Sequence, residues 1–289
     1  MFILILKSIV LGLVQGLTEF IPISSSAHLI IIPWLFGWTD AALTSLSFDV
    51  ALHMGTLVAI LWFFAADWVR LFKAGVASLA ERKIGADPDR RMAWFIVIGI
   101  IPGGIAGVLL ESKIEAWFHT PGVPIKPLAM MAMAVIIALL GSVLFIAERM
   151  ARHQRPLKDL SLKDTLIIGV AQAFAIFPGV SRSGSTITAG LALGFEREAA
   201  ARFSFLLGAP IIAGAGLKSL WDIYKAVHAG TLPSNELILF PIGLVVAAIS
   251  GYWCIKFLLR FLQKNSSVIF VYYRWALAAL VLIVALFRS

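Results

Sequence analysis

Charge is what this chain most conspicuously lacks. Only 14% of its 289 residues are Asp, Glu, Lys or Arg, while 60% are hydrophobic; an ordinary soluble domain carries about a quarter charged residues. With a mean hydropathy of +0.94, this excludes a soluble globular domain. Cysteine is nearly absent too. The single Cys254 lies in an apolar run and excludes an intrachain disulfide. Acidic residues are the scarcer charges, 16 against 24 Lys and Arg, and the net charge of +8 could point to nucleic acid. The basic residues, however, fall in short loops between apolar runs, where they orient a membrane protein, so no nucleic-acid partner is expected. Neither a Walker loop (G-x-x-x-x-G-K-S/T) nor an H-E-x-x-H metal motif occurs. The N-terminal MFILILK lacks a basic region ahead of its apolar stretch and a small-residue cleavage site. It reads as retained rather than as a secretory leader.

What the chain has in quantity is apolar sequence of membrane length. Six runs, near 45–66, 92–110, 127–147, 199–217, 237–258 and 269–287, can each cross about 30 Å of hydrocarbon at about 1.5 Å per residue. The expected fold is an all-α polytopic membrane protein, one integral domain over 1–289 with repeat halves at about 1–110 and 127–289. Regions 8–38 and 165–195 differ from the six. Each is too long for a simple crossing and is interrupted, at Pro22 or at Pro178-Gly179. Each reads as a re-entrant pair of short helices, its irregular backbone tolerated only against protein or a watery cavity.

These two regions are alike. At a constant offset Gly12 matches Gly169, Gln15 matches Gln172, Phe20 matches Phe177, Ser24 matches Ser181 and Ser26 matches Ser183. Broken apolar segments at matching places in two halves mark a site near the membrane midplane. With both segments re-entrant, the basic loops 67–91, 149–164, 196–202 and 259–267 fall on one side, which the positive-inside rule makes cytoplasmic. Both termini and the loops 111–126 and 218–236 (Lys113, Lys126, Lys218, Lys225) fall outside. The halves then have opposite orientation, an inverted-topology repeat with six full crossings.

The polar residues inside apolar sequence are the functional candidates. An intramembrane carboxylate is costly and faces a partner or a cavity. Gln15 and Glu19 share a helix face at i,i+4; they are either a structural pair or, with Ser24, Ser25, Ser26 and His28 following, part of a site. In PGVSRSGST, Pro178 to Thr186, Pro and Gly stop one helix and Ser suits the start of the next. A helix N-terminus binds anions, phosphate above all, and Arg182 adds a planar fork of donors matched to phosphate oxygens; the alternative is an arginine snorkelling to the interface. Asp49 and His53 form another i,i+4 pair, equally a support to the site or a cap. Gly99, Gly103 and Gly107 read as helix packing, His119, His153 and His228 as solvated loop residues, and Glu111, Glu115, Glu148 and Asp222 as span ends. Together the two breaks offer parts for phosphoryl transfer: a nucleophile, an acid–base group and oxyanion donors.

At these residues the chain resembles the undecaprenyl-pyrophosphate phosphatase family of bacteria, the integral-membrane type linked to bacitracin resistance. The carriers are Gln15-Gly16-Leu17-Thr18-Glu19, Pro22-Ile23-Ser24-Ser25-Ser26-Ala27-His28, and Pro178-Gly179-Val180-Ser181-Arg182-Ser183-Gly184-Ser185-Thr186. The resemblance implies removal of the terminal phosphate of a polyprenyl diphosphate at a site facing the outer side of the bacterial plasma membrane, with Mg2+ or Ca2+. It implies that Glu19 and His28 are catalytic, that Ser25 is the nucleophile with His28 handling its proton, and that Arg182 binds the diphosphate. Ser24, Ser26, Ser181, Ser183, Gly184 and Thr186 would line the site. Gln15 stands where some members carry Glu, a weaker ligand for a hard cation, so metal would rest on Glu19, Gln15 and the substrate's own oxygens. Oligomeric state, a homodimer included, stays open. The rival reading is a secondary transporter or lipid flippase, since inverted repeats with broken helices are typical of transporters.

Overall fold

The computed structural model of the chain describes residues 1–118, 125–228 and 237–288. His119, and the side chains of Lys113, Lys218, His228, Glu111, Glu115 and Asp222, lie outside the described residues. Among those described, every element is helical apart from one bridge pairing Arg155 with Phe195. The chain runs α1 (Phe2–Thr18), α2 (Ser25–Phe36), α3 (Leu46–Phe63), α4 (Ala65–Ala80), α5 (Pro88–Gly99), α6 (Ile101–Phe118) and α7 (Pro127–Met150). It continues with α8 (Leu162–Ala173), α9 (Arg182–Ala192), α10 (Arg197–His228), α11 (Leu239–Lys264) and α12 (Val268–Arg288). Six stretches are long and apolar enough to cross a membrane: 46–63, 88–110, 127–150, 197–217, 239–264 and 268–288. They match the six expected runs. The expected loop 67–91 instead holds α4. Its exposed Val69, Phe72, Val76 and Leu79 recur at helical spacing, but the charges between them dilute its hydropathy and hide it from a search for spans.

The two broken regions are helix–break–helix pairs. Lys7, early in α1, pairs with Asp40 just past α2 at 2.5 Å, so α1 and α2 fold back to one end of the bundle. Arg155 repeats that arrangement for the second pair: it bonds Asp164 at the start of α8 (2.6 Å) and the Leu193 carbonyl past α9 (2.9 Å). Each pair leans on spans of the other half, α1 on α11 and α8 on α5 and α6. In a bilayer, hydrophobic burial gives helices little reason to associate, so close approach at small residues has to do it. The repeat mates Gly12 and Gly169 supply it: a Cβ on Gly12 would stand 2.7 Å from the Gly243 carbonyl oxygen, and one on Gly169 would stand 2.5 Å from that of Gly99. Gly99 and Gly103 face Leu207 and Ile211 of α10, as packing glycines should, whereas Gly107 faces open space.

The expected basic loops do gather at one end, tied together by ion pairs and hydrogen bonds. Arg202 and Arg70 share Asp67, Arg197 pairs with Glu148 at 2.6 Å, and Ser266 and Ser267 donate to the same Glu148. His153 is not a solvated loop residue. It is half-buried with Nε2 3.1 Å from the Glu148 carbonyl oxygen, because Glu148, a buried carboxylate at a span end, draws several donors onto itself.

Candidate active site

Both breaks are made by the same local device. Pro22 removes an N–H and keeps Ile21 out of the helical region, ending α1 one turn early. Ser24 then takes φ 76° and Ser181 φ 74°, a left-handed conformation uncommon for any residue but glycine. Each serine caps the helix after it, Ser24 Oγ accepting from Ala27 N–H and Ser181 Oγ from Gly184 N–H. Each also meets the hydroxyl two residues on, Ser24 to Ser26 at 3.3 Å and Ser181 to Ser183 at 3.2 Å. Strained backbone of this kind clusters at functional sites, where surrounding structure holds it in place.

Tertiary packing brings the breaks face to face. Glu19, 5% exposed at the end of α1, receives Arg182 Nη2 from the second break on Oε1 at 2.9 Å. Its Oε2 receives the Ser25 hydroxyl at 2.5 Å and Gln15 Nε2 at 3.0 Å, and His53 Nε2 lies 3.5 Å away. His53 thus belongs beside the carboxylate rather than at a distant cap; its Nδ1 is fixed on the Asp49 carbonyl at 2.7 Å. The other arm of Arg182 donates to the Ser204 carbonyl of α10 at 3.1 Å. Its guanidinium lies in a notch that exists because residue 208 has no side chain.

His28 sits in a separate set of bonds. Nδ1 is 2.7 Å from the Ser24 carbonyl and Nε2 is 2.7 Å from the Tyr273 hydroxyl. A carbonyl only accepts, so Nδ1 carries the proton and Nε2 accepts from Tyr273. No hydrogen bond joins His28 to Ser25 among the described residues; the proton of Ser25 points to Glu19 instead. Several hydroxyls expected to line the site are engaged elsewhere. Ser24 and Ser181 cap helices, Ser183 donates to the Ile21 carbonyl at 3.2 Å, and Thr186 bonds Ser204 Oγ at 2.6 Å. The N–H of Gly184 is taken by the Ser181 cap, and Ser26 is only partly buried.

Among the described residues no three His, Cys, Asp or Glu side chains cluster as a metal cage. The oxygen donors present are the Glu19 carboxylate and Gln15 Oε1, which is buried without a hydrogen-bond partner. One carboxylate and one orphaned amide oxygen fit a hard cation shared with phosphate oxygens, as magnesium sites are built, and not a cage made by protein alone.

Two residues of the site escaped the sequence reading, Tyr273 and Arg274. Arg274 is a lone cation in the apolar run of α12, the same signal that singled out Arg182, and it is 1% exposed.

Fold and site define a polytopic membrane protein whose polar centre, suited to an anion, is buried where two broken helices meet. The family described as "Bacitracin resistance protein BacA" matches residues 8–280, and the chain belongs to that family. It is similar to a protein of Thermomicrobium roseum named undecaprenyl-diphosphatase, 48% identical over 281 residues that cover 97% of this chain and 98% of that one. Proteins of the same name in Moorella thermoacetica and Thermodesulfovibrio yellowstonii are 46% and 44% identical. They match 97% and 98% of this chain, and the same shares of their own lengths.

Proposed function

We propose that this chain hydrolyses undecaprenyl diphosphate to the monophosphate and inorganic phosphate in the bacterial plasma membrane, recycling the lipid carrier of cell-wall synthesis and conferring bacitracin resistance. The observation that carries this reading is Glu19, which accepts from a hydroxyl in its own half and from a guanidinium in the other. The diphosphate takes over the Glu19 contact with Arg182, whose planar fork suits phosphate oxygens. The Ser25 oxygen attacks the terminal phosphorus as its proton passes to Glu19, the nearer base. The bridging P–O bond breaks and undecaprenyl monophosphate leaves. Water, giving its proton to His28, then attacks the phosphoserine; the Ser25 O–P bond breaks, the serine oxygen recovers its proton from Glu19, and inorganic phosphate departs. A divalent cation, Mg2+ or Ca2+, held by Glu19 and Gln15 together with the diphosphate, supplies charge neutralisation on the phosphoryl oxygens.

The basic end faces the cytoplasm, the termini lie outside, and both broken pairs are re-entrant; the fold-back at Lys7–Asp40 and at Arg155 supports this. The site opens to the outer side. The polyprenyl tail lies in an apolar groove of about 490 Å3 between α7, α8 and α9. The groove starts one turn beyond Arg182 at Ser185, and Ala171 and Ala189 leave it hollow. Transport remains the rival, because the paired broken helices are also a transporter device. Purified protein in detergent, given undecaprenyl diphosphate and Mg2+, should release phosphate and trap as a base-labile phosphoserine, and Ser25→Ala should release none. An acid-labile phosphohistidine would reject Ser25 as the nucleophile, and no phosphate release at all would favour transport.

A further inference from the structure

Arg274 is the feature that the hydrolytic reading does not use. It reaches from α12 into the centre of the molecule, and all its hydrogen bonds go to backbone carbonyls. Nε donates to Ile137 of α7 at 3.0 Å, Nη1 to Pro22 in the first break at 3.1 Å, and Nη2 to Gly179 in the second break at 2.8 Å. Both terminal nitrogens also lie 3.4 Å from the Val180 carbonyl. Among the described residues none of its partners is a carboxylate. A buried charge left without a counter-charge is costly even when hydrogen-bonded, so packing alone gives no reason to place arginine here. The guanidinium also lies against the first turn of α9: a Cβ on Gly184 would stand 3.3 Å from Nη1. The preceding residue, Tyr273, holds the imidazole of His28, with the two rings stacked at a centroid distance of 5.7 Å.

We propose that Tyr273 and Arg274 are the positioning residues of the site. Arg274 pins the two breaks at one separation and turns an uncompensated positive charge toward the diphosphate. Tyr273 fixes the ring and tautomer of His28. This rests on the hydrolase reading above. One guanidinium bonded to both halves explains how two segments far apart in sequence keep Ser25, Glu19 and Arg182 in register. Its missing counter-charge is then the substrate itself, a dianionic or more highly charged phosphate group arriving where the two capped helices begin. The adjacency of the two residues on α12 matters, because any shift of that helix moves the break clamp and the histidine support together.

The test uses the full chain in detergent, with Tyr273→Phe, Arg274→Lys and Arg274→Met compared with wild type for kcat and KM on undecaprenyl diphosphate. Inhibition by inorganic pyrophosphate supplies a probe of anion binding. Arg274→Met should lose about 10²-fold in kcat/KM, the scale of an ångström of misplacement at reacting groups, and weaken pyrophosphate inhibition. Arg274→Lys, which keeps the charge but not the fork, should recover part of both. Tyr273→Phe should lower kcat about tenfold with KM within twofold, since it removes one support of the catalytic imidazole and no contact to the substrate. Arg274→Met within threefold of wild type overturns the proposal, as do Arg274 variants that are equally impaired with unchanged pyrophosphate inhibition. If neither Arg274 variant folds, Tyr273→Phe decides, and kinetics superimposable on wild type overturn the proposal. An inactive wild type would instead count against the hydrolase reading.

Discussion

Gly208→Ala tests the site from the side that carries no chemistry. On α10, residue 208 faces Arg182, and a Cβ added there would collide with the guanidinium. The methyl group has nowhere to go, because the helix backbone fixes it, so the arginine must leave the notch. Leaving breaks the bond to the Ser204 carbonyl at 3.1 Å and the bond to Glu19 Oε1 at 2.9 Å. A hydrogen bond to a charged group contributes about 1.5–3 kcal/mol. Losing about 2 kcal/mol of that in the transition state is about thirtyfold in kcat/KM. Gly214→Ala on the same helix is the control. A Cβ there meets open space, and an interior helical alanine should if anything stabilise, by up to about 1 kcal/mol. Kinetics with undecaprenyl diphosphate should show Gly208→Ala reduced about thirtyfold and Gly214→Ala unchanged, with both melting near wild type. A folded Gly208→Ala enzyme within threefold of wild type would mean that the guanidinium does not work from this notch, and the site geometry would have to be redrawn.

Arg182→Ala should cost roughly 10²–10³ in kcat/KM, as removal of an oxyanion donor does, and Arg182→Lys less; Arg182→Ala above a third of wild-type activity would separate the two breaks functionally. Ala189→Phe, which fills the groove between α7, α8 and α9, should raise KM for undecaprenyl diphosphate and leave a short-chain prenyl diphosphate unaffected; equal effects on both would move the tail elsewhere. At the basic end, burial works to raise the Asp164 carboxyl, but hydrogen bonds from Arg155 and Ser161 outweigh it and hold it below the ordinary Asp range. A depressed carboxyl stabilises the fold above its unfolded pKa and loses that contribution as pH falls through its folded value. Asp164→Asn should therefore lower stability at neutral pH by about 1 kcal/mol, the usual value of a lost cap with a partly exposed ion pair beside it. It should also flatten the acid limb of melting temperature against pH, and an unchanged limb would assign acid sensitivity to other groups.

The six spans needed no structure, because hydrocarbon thickness sets a length that apolar residues must fill and the count can be made along the chain. The repeat was equally legible, since Ser24 and Ser181, with Pro22 and Pro178 nearby, are local signals whose spacing survives in sequence. So were Glu19, Ser25, His28 and Arg182, conspicuous for being polar in apolar surroundings. What needed three dimensions was who meets whom. Glu19 and Arg182 are 163 residues apart, and their contact follows from α10 offering a notch at Gly208 and from Arg274 tying Pro22 to Gly179. The expected partnership of Ser25 with His28 rested on their nearness in sequence. Tertiary structure gave Ser25 to Glu19 and His28 to Tyr273 instead, because a hydrogen bond is decided within about 3 Å of space and α12, last in the chain, reaches that distance first.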